Sequence, residues 1–445
     1  MREKRNRTNM AHITIQTIGP IKNVSFDLNK VNVFMGPQSS GKSTIAKIIS
    51  YCSWFEKDTS IHASSHPDFW NELITFHNLE KSYFSNESRI TYKSNFCSFD
   101  MKWKNKSSKE EIQYTRKNFR NRKITYIPAE RNFVTIPGLG RYNESRDNIL
   151  SFLYDWFLAK KGFNEDRVFD LPIYSLRDVS FFYDKEIDLD KIQIQNGKII
   201  GLNHASSGLR SCIPLLVVFN HMMNAIYNRL RPQTPLEVMN FYEKLTDIQN
   251  SKEEDKKTKR KGTAISSYKR SLAEIYKDFG TKTFQVSEYN DKLNKLYYQK
   301  LQAQWADLVG FYGDYFYTLA IIEEPELNLF PKTQQDLVYY MLETLVKSER
   351  EHQLVLTTHS PFILFAINNC MMGGLVKQTK AKQKHFPSQQ AWIDPKKVSI
   401  YEIYEGEITS IQGENGIIKD NYLNRAYKEN MDEYLSMLAY YEDEE

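Results

Sequence analysis

A chain of 445 residues is long enough for one large α/β domain carrying an insertion, or for two ordinary domains. Hydrophobic residues at 41% and charged residues at 26% are the balance of a soluble globular protein, and apolar runs broken well before 18 positions argue against a membrane-spanning helix. A net charge of +5 permits contact with nucleic acid without arguing for it. Four widely spaced cysteines, Cys52, Cys97, Cys212 and Cys370, read as reduced thiols of a cytoplasmic protein.

The basic start at residues 1–7 leads into alternation over His12–Ile18, not into an apolar signal core, so no secretory leader is expected. A second strand is expected at 25–28 and a short buried one at Val31–Met35. Next comes the run Gly36, Pro37, Gln38, Ser39, Ser40, Gly41, Lys42, Ser43, Thr44, followed by a helix over 44–54 with Ile45, Ile48, Ile49 and Cys52 on one face. Two alternating runs within 88–103 predict an antiparallel layer. Residues 123–128 predict another strand, ending at Glu130 and Arg131, and 148–160 predict a helix. Asn196-Gly197, inside 191–202, predicts a hairpin with a two-residue type I′ turn.

That hairpin feeds into Ser206, Ser207 and Gly208, and a helix with Leu215, Val218, Phe219, Met222 and Ile226 on its apolar face follows. Residues 235–304 read as a helical hairpin with a charged tip at 252–261, without the sustained heptads of a long coiled-coil arm. An apolar strand at 319–322 ends in Glu323 and Glu324, and another at 354–356 precedes His359. A basic loop at 377–384, a strand at 398–404 and a helical tail with an acidic end at 442–445 complete the chain. The expected division is 1–208, 209–315 and 316–445.

The chemistry is concentrated at four points. A glycine loop between a buried strand and a helix turns backbone N–H groups toward phosphates; Lys42 then reaches the β/γ-phosphates and the Ser43 hydroxyl takes a place on Mg²⁺. Two carboxylates at a strand end suit the same site. Glu323, where Asp is usual, holds the metal's hydration shell, and Glu324 orients and deprotonates the attacking water. Ser206, Ser207 and Gly208 open a helix, so its N-terminal N–H groups can meet a phosphate. Lys42 and Glu324 are 282 positions apart, far more than compact nucleotide-binding modules allow. For Glu130 and Arg131 a metal-contacting loop and a structural salt bridge are both open, and Arg210 is open as an added charge near the nucleotide.

Together with 18–22 and 126–131, these segments resemble bacterial defence ATPases of the ABC clade that includes OLD nucleases, Rad50 and RecF-type proteins, in particular the ATPase subunits of PARIS anti-phage systems. The resemblance implies an α/β fold, an ABC-type P-loop ATPase head with a mixed sheet core, an antiparallel β layer and a helical insertion between signature and Walker B. It implies ATP and Mg²⁺, His359 on the γ-phosphate, and Ser206–Gly208 as the signature presented to the nucleotide of a second copy. The copies form a homo-oligomer, dimeric at least. It further implies a separate TOPRIM-type nuclease effector, released on sensing a phage-encoded DNA-mimic trigger protein, with nucleic acid allowed but not required and no membrane. No nuclease constellation is visible, and the 86 residues after His359 are too few for a TOPRIM fold. The alternative is a RecF/Rad50-like DNA-binding ATPase of DNA repair.

Overall fold

The computed structural model describes residues 11–61, 68–103, 112–115, 119–136, 147–228, 315–376 and 385–442. The chain divides into two compact units. One comprises Met1–Ser60, Pro67–Ile226 and Phe316–Glu445; the other comprises Ile61–His66 and Tyr227–Tyr315, nearly all of it outside the described residues. The helical hairpin expected at 235–304, the basic loop at 377–384 and residues 443–445 also lie outside them.

The first unit begins with β1 (His12–Ile18), β2 (Ile21–Asp27) and β3 (Val31–Met35), followed by α1 (Lys42–Ile61) and α2 (Phe69–His77). Next come β4 (Phe84–Lys93), β5 (Cys97–Lys102), β6 (Gln113–Tyr114), β7 (Arg122–Ile127) and α3 (Asn148–Lys160). A small group, β8 (Phe169–Asp170), β9 (Ser180–Asp184), β10 (Leu189–Gln193) and β11 (Ile199–Gly201), leads to α4 (Ser207–Met223). After the insertion come β12 (Tyr317–Glu323), α5 (Pro331–Lys347), β13 (Gln353–Thr358), α6 (Pro361–Val376), β14 (Val398–Tyr404), β15 (Glu407–Ser410) and α7 (Tyr422–Glu442).

Among the described residues, eleven strands form one mixed sheet in the order β6-β5-β4-β1-β2-β15-β14-β3-β13-β12-β7. The run β14-β3-β13-β12-β7 is parallel throughout, whereas β1, β2, β4, β5 and β6 pair antiparallel. The sequence pattern explains the division. Every residue of β3 and β12 is buried, as parallel strands covered on both faces require, while β2 and β5 alternate between core and surface. One core lies against α3, α4, α5 and α6 and includes Trp156, Leu216, Met341 and Ile367. The other holds α1, α2 and the antiparallel layer through Ile48, Phe55, Leu73 and Phe99. Arg122 and Glu56 pair in this second core, where Tyr92 also donates to Glu56 at 2.7 Å, joining β7 to α1.

Three expectations need correction. The hairpin between β10 and β11 exists, but Ile194 N–H donates to Lys198 O and Gly197 N–H to Ile194 O, so its loop is three residues and not two. Asn196 and Gly197 still take positive φ, 69° and 72°, which is why that pair occurs there. The helix expected over 44–54 starts two residues earlier and runs to Ile61. Among the described residues, one helical stretch, Ser207–Tyr227, is long and apolar enough to cross a membrane by length and composition; 67% of its most apolar 18-residue window is buried, and core packing accounts for its hydrophobicity. The four cysteines are free and buried.

Candidate active site

The C-terminal ends of the parallel strands gather three of the four predicted segments; the fourth, Ser206–Gly208, opens α4 after the small sheet. β3 delivers the glycine loop, β12 ends at Glu323, and β13, which lies between them, ends one residue before His359. In the loop, Gly36, Ser39 and Gly41 have φ of 155°, 61° and 103°. Glycine is required at two of these positions, because a Cβ on Gly36 would strike the backbone carbonyl of Ile403 and the φ of Gly41 lies where other residues are strained. Pro37 accepts from Ser40 N–H at 3.4 Å, and Gln38 and Ser39 are exposed at the tip. Ser40 is buried with its hydroxyl unpartnered, and Thr44 is buried in the first turn of α1.

Lys42 opens α1. Its ammonium is buried and donates to the carbonyls of Gly36 at 3.0 Å and Pro37 at 2.7 Å. Burial lowers its pKa, while the carboxylates of Glu324 and Glu326 act in the opposite sense. It therefore stands at a helix N-terminus with its charge directed into the loop, the arrangement that meets a polyphosphate.

Glu323 is 4% exposed, and burial raises its pKa, against the opposing influence of Ser43 and Tyr126 beside it. Its Oε1 is buried with no hydrogen-bond partner. A buried unpartnered carboxylate oxygen next to a serine hydroxyl fits a divalent cation: both are hard oxygen donors, suited to Mg²⁺. Glu324 turns out of the strand with φ of 42°, its N–H donating to Thr357 O at 3.0 Å. Its Oε1 is 3.7 Å from Nδ1 of His359, and both side chains remain partly exposed.

Ser206 caps α4, its hydroxyl accepting from Leu209 N–H at 3.4 Å. Ser206 and Ser207 are exposed, and Gly208 lies against the backbone of Asn328, where a Cβ would be 2.8 Å from the carbonyl oxygen. The Nε of Arg210 is buried without a partner.

Three residues gain roles that the sequence pattern does not assign. Glu326, 5% exposed, accepts from Thr358 Oγ1 at 2.8 Å and from His359 N–H at 2.9 Å, and its carboxylate also lies 3.5 Å from the His359 ring. It holds the histidine segment in place. Tyr126 on β7 flanks Glu323. Arg131 makes no salt bridge among the described residues; it is fully buried and donates only to backbone carbonyls. The Glu-Glu-Pro-Glu run is a usable signal for Glu326. The sequence marks Arg131 only by its place after a strand, and neither alternative expected there, a metal-contacting loop or a salt bridge, includes these backbone contacts.

Residues 316–364, which carry both carboxylates and His359, match the family described as AAA ATPase domain. That segment is thus similar to part of an ATPase domain. Among curated proteins none matches the chain. Solved structures that match the chain include the SMC head domain from Thermotoga maritima, 9% identical with a TM-score of 0.35, covering 91% of this chain and 99% of that one. The Smc head domain with an extended coiled coil, bound to the C-terminal domain of ScpA derived from Pyrococcus furiosus, is 8% identical with a TM-score of 0.32, covering 95% and 99%. The recombination mediator protein RecF-ATPrS of the RecFOR pathway is 11% identical with a TM-score of 0.30, covering 91% and 98%. Likenesses this distant fix neither substrate nor partner.

Proposed function

We propose that this chain hydrolyses ATP as an ABC-type head, in composite sites made by two copies. The observation that carries the reading is convergence. Lys42, Ser43 with Glu323, and Glu324 with His359 come from segments up to 317 positions apart and meet at one end of the parallel run of the large mixed sheet. The glycine loop and Lys42 bind and orient the polyphosphate. Ser43 and Glu323 would hold Mg²⁺, which when bound neutralises phosphate charge. Glu324 takes the proton of the attacking water, and His359 stands where it can meet the γ-phosphate. Ser206–Gly208 reads the nucleotide of the second copy through a helix N-terminus.

Composite sites have a specific consequence. Lys42→Ala and Ser207→Arg chains should each be inactive alone. Mixed, they should recover turnover above either parent and up to about a quarter of wild type, because random pairing makes half the dimers mixed and each of those keeps one intact site of two. Steady-state turnover of the mixture checks this, and no recovery over either parent counts against a shared site.

The finer reading follows the sequence resemblance: a sensor and scaffold subunit like AriA of PARIS systems, which holds a separate TOPRIM-type nuclease and releases it on meeting a phage trigger protein. On this reading the purified chain hydrolyses ATP but leaves DNA and tRNA intact with Mg²⁺ or Mn²⁺. Incubation with labelled duplex and tRNA tests it. Cleavage that survives purification and disappears on mutating a carboxylate outside the ATP site would overturn it. ATPase activity stimulated by duplex DNA, with steeply salt-dependent binding, would instead support a DNA-repair role.

A further inference from the structure

We infer that Arg131 is a positioning residue that ties the signature end of α4 to the backbone of Glu324, so that contact at one nucleotide controls hydrolysis at the other. The inference rests on the composite-site reading above. Arg131 follows β7 and is wholly buried. Its Nε donates to Ser211 O in α4 at 2.9 Å. Nη1 donates to Glu323 O at 2.9 Å and Pro128 O at 3.3 Å, and Nη2 to Glu324 O at 2.9 Å and Pro325 O at 3.4 Å. One planar fork thus spans three chain segments that are distant in sequence.

Two features separate this from ordinary core filling. First, a buried guanidinium without a carboxylate partner is an expensive way to occupy space, and an apolar side chain of similar volume would cost less. Burial depresses its pKa to about 10, which reflects that cost. Second, the carbonyls it holds are those of the site itself. Glu324 has a left-handed backbone that non-glycine residues avoid, and its N–H and C=O are both engaged, by Thr357 and Arg131.

A second link joins the same two elements. Asn328, with φ of 60°, donates from Nδ2 to Ser211 Oγ at 3.2 Å, and its carbonyl abuts Gly208. The first two turns of α4 and residues 323–328 are therefore keyed together through Arg131, Asn328 and Gly208. In a dimer, α4 touches the nucleotide held by the partner, whereas Glu324 acts on the chain's own. A shift of α4 on meeting a γ-phosphate reaches the carbonyl of Glu324 through one side chain. Lysine cannot replace the fork, since its ammonium lacks the planar spread needed for three segments.

The test compares wild type, Arg131→Lys and Ser211→Ala by nucleotide Kd, kcat and the Hill coefficient for ATP. Wild-type turnover should be sigmoidal. Arg131→Lys should keep Kd within about threefold, lose kcat by at least about tenfold and turn hyperbolic, the pattern of an interaction that serves the reaction and not ground-state binding. Ser211→Ala removes the Asn328 link while leaving Arg131 in place, and should shift kcat and the Hill coefficient the same way by less. Should Arg131→Lys fail to fold, Ser211→Ala and Asn328→Ala decide; wild-type kcat and sigmoidality in both would overturn the tie. A lower melting temperature with kcat and Hill coefficient unchanged would make Arg131 a structural prop, which also overturns it. Turnover that depends on Lys42 but ignores Arg131→Lys removes only the tie. Wild-type protein without Lys42-dependent turnover removes the functional reading and the tie with it.

Discussion

Replacing Glu324 with Gln should leave ATP binding intact and slow hydrolysis by about 10²–10⁴-fold, the usual contribution of a positioned proton acceptor. The substitution keeps shape and backbone, so the loop and Lys42 still hold the polyphosphate; it removes only the acceptor and its charge. Three carboxylates compete for this role, and their surroundings rank them. Glu323 is buried against Ser43 and Tyr126, which suits a metal better than a water molecule. Glu326 is 5% exposed and its Oε1 is already engaged by Thr358 and His359. The side chain of Glu324 is 28% exposed and faces the His359 ring, so it alone can reach an incoming water. Single-turnover hydrolysis of labelled ATP, set beside nucleotide affinity, is the measurement. Near-normal turnover would move the base to one of the other two, with Glu326→Gln the next variant to make.

Lys42→Ala should weaken ATP binding by about 10–100-fold, the equivalent of losing a hydrogen bond to a charged group, and reduce turnover to background. The fold should survive. Alanine is a strong helix former at the start of α1, and of the two carbonyls that lose their donor, that of Pro37 is only part-buried and can turn to water. Titration with a fluorescent nucleotide alongside a thermal melt separates binding from stability. An unchanged affinity in a well-folded variant would remove Lys42 from the phosphate site.

The parts of the site carried by contiguous residues are legible in the sequence. The glycine loop declares itself because strand, loop and helix follow one another around 36–44, and the two carboxylates because an apolar run of strand length ends on them. Relations across the sheet are not legible. Arg131 contacts Ser211, 80 positions away, and Glu323, 192 positions away, and no local pattern encodes either contact. The hairpin at 195–197 is recognisable from Asn-Gly, yet its loop length depends on which flanking residues bond, and that is decided by the register of β10 on β11. Glu326 lies one residue past the helix-breaking Pro325, in a run of carboxylates that pattern alone cannot rank.

The neighbours of β3 have a consequence for how the protein is made. The strand that carries the phosphate loop pairs with β13 on one side and β14 on the other, and with no strand near it in sequence. On the ribosome, β1, β2, β4 and β5 can begin to assemble as soon as they emerge, since their antiparallel pairings are with one another. The mostly apolar β3 has to wait until residue 404 has been synthesised, roughly 20–70 s after its own synthesis at ordinary elongation rates. Until β13 and β14 arrive, both its edges are unpaired, and such long-range parallel pairing is intrinsically slow. The nascent chain therefore carries its nucleotide loop long before it can hold a nucleotide, and any truncation short of β14 leaves β3 with an open edge.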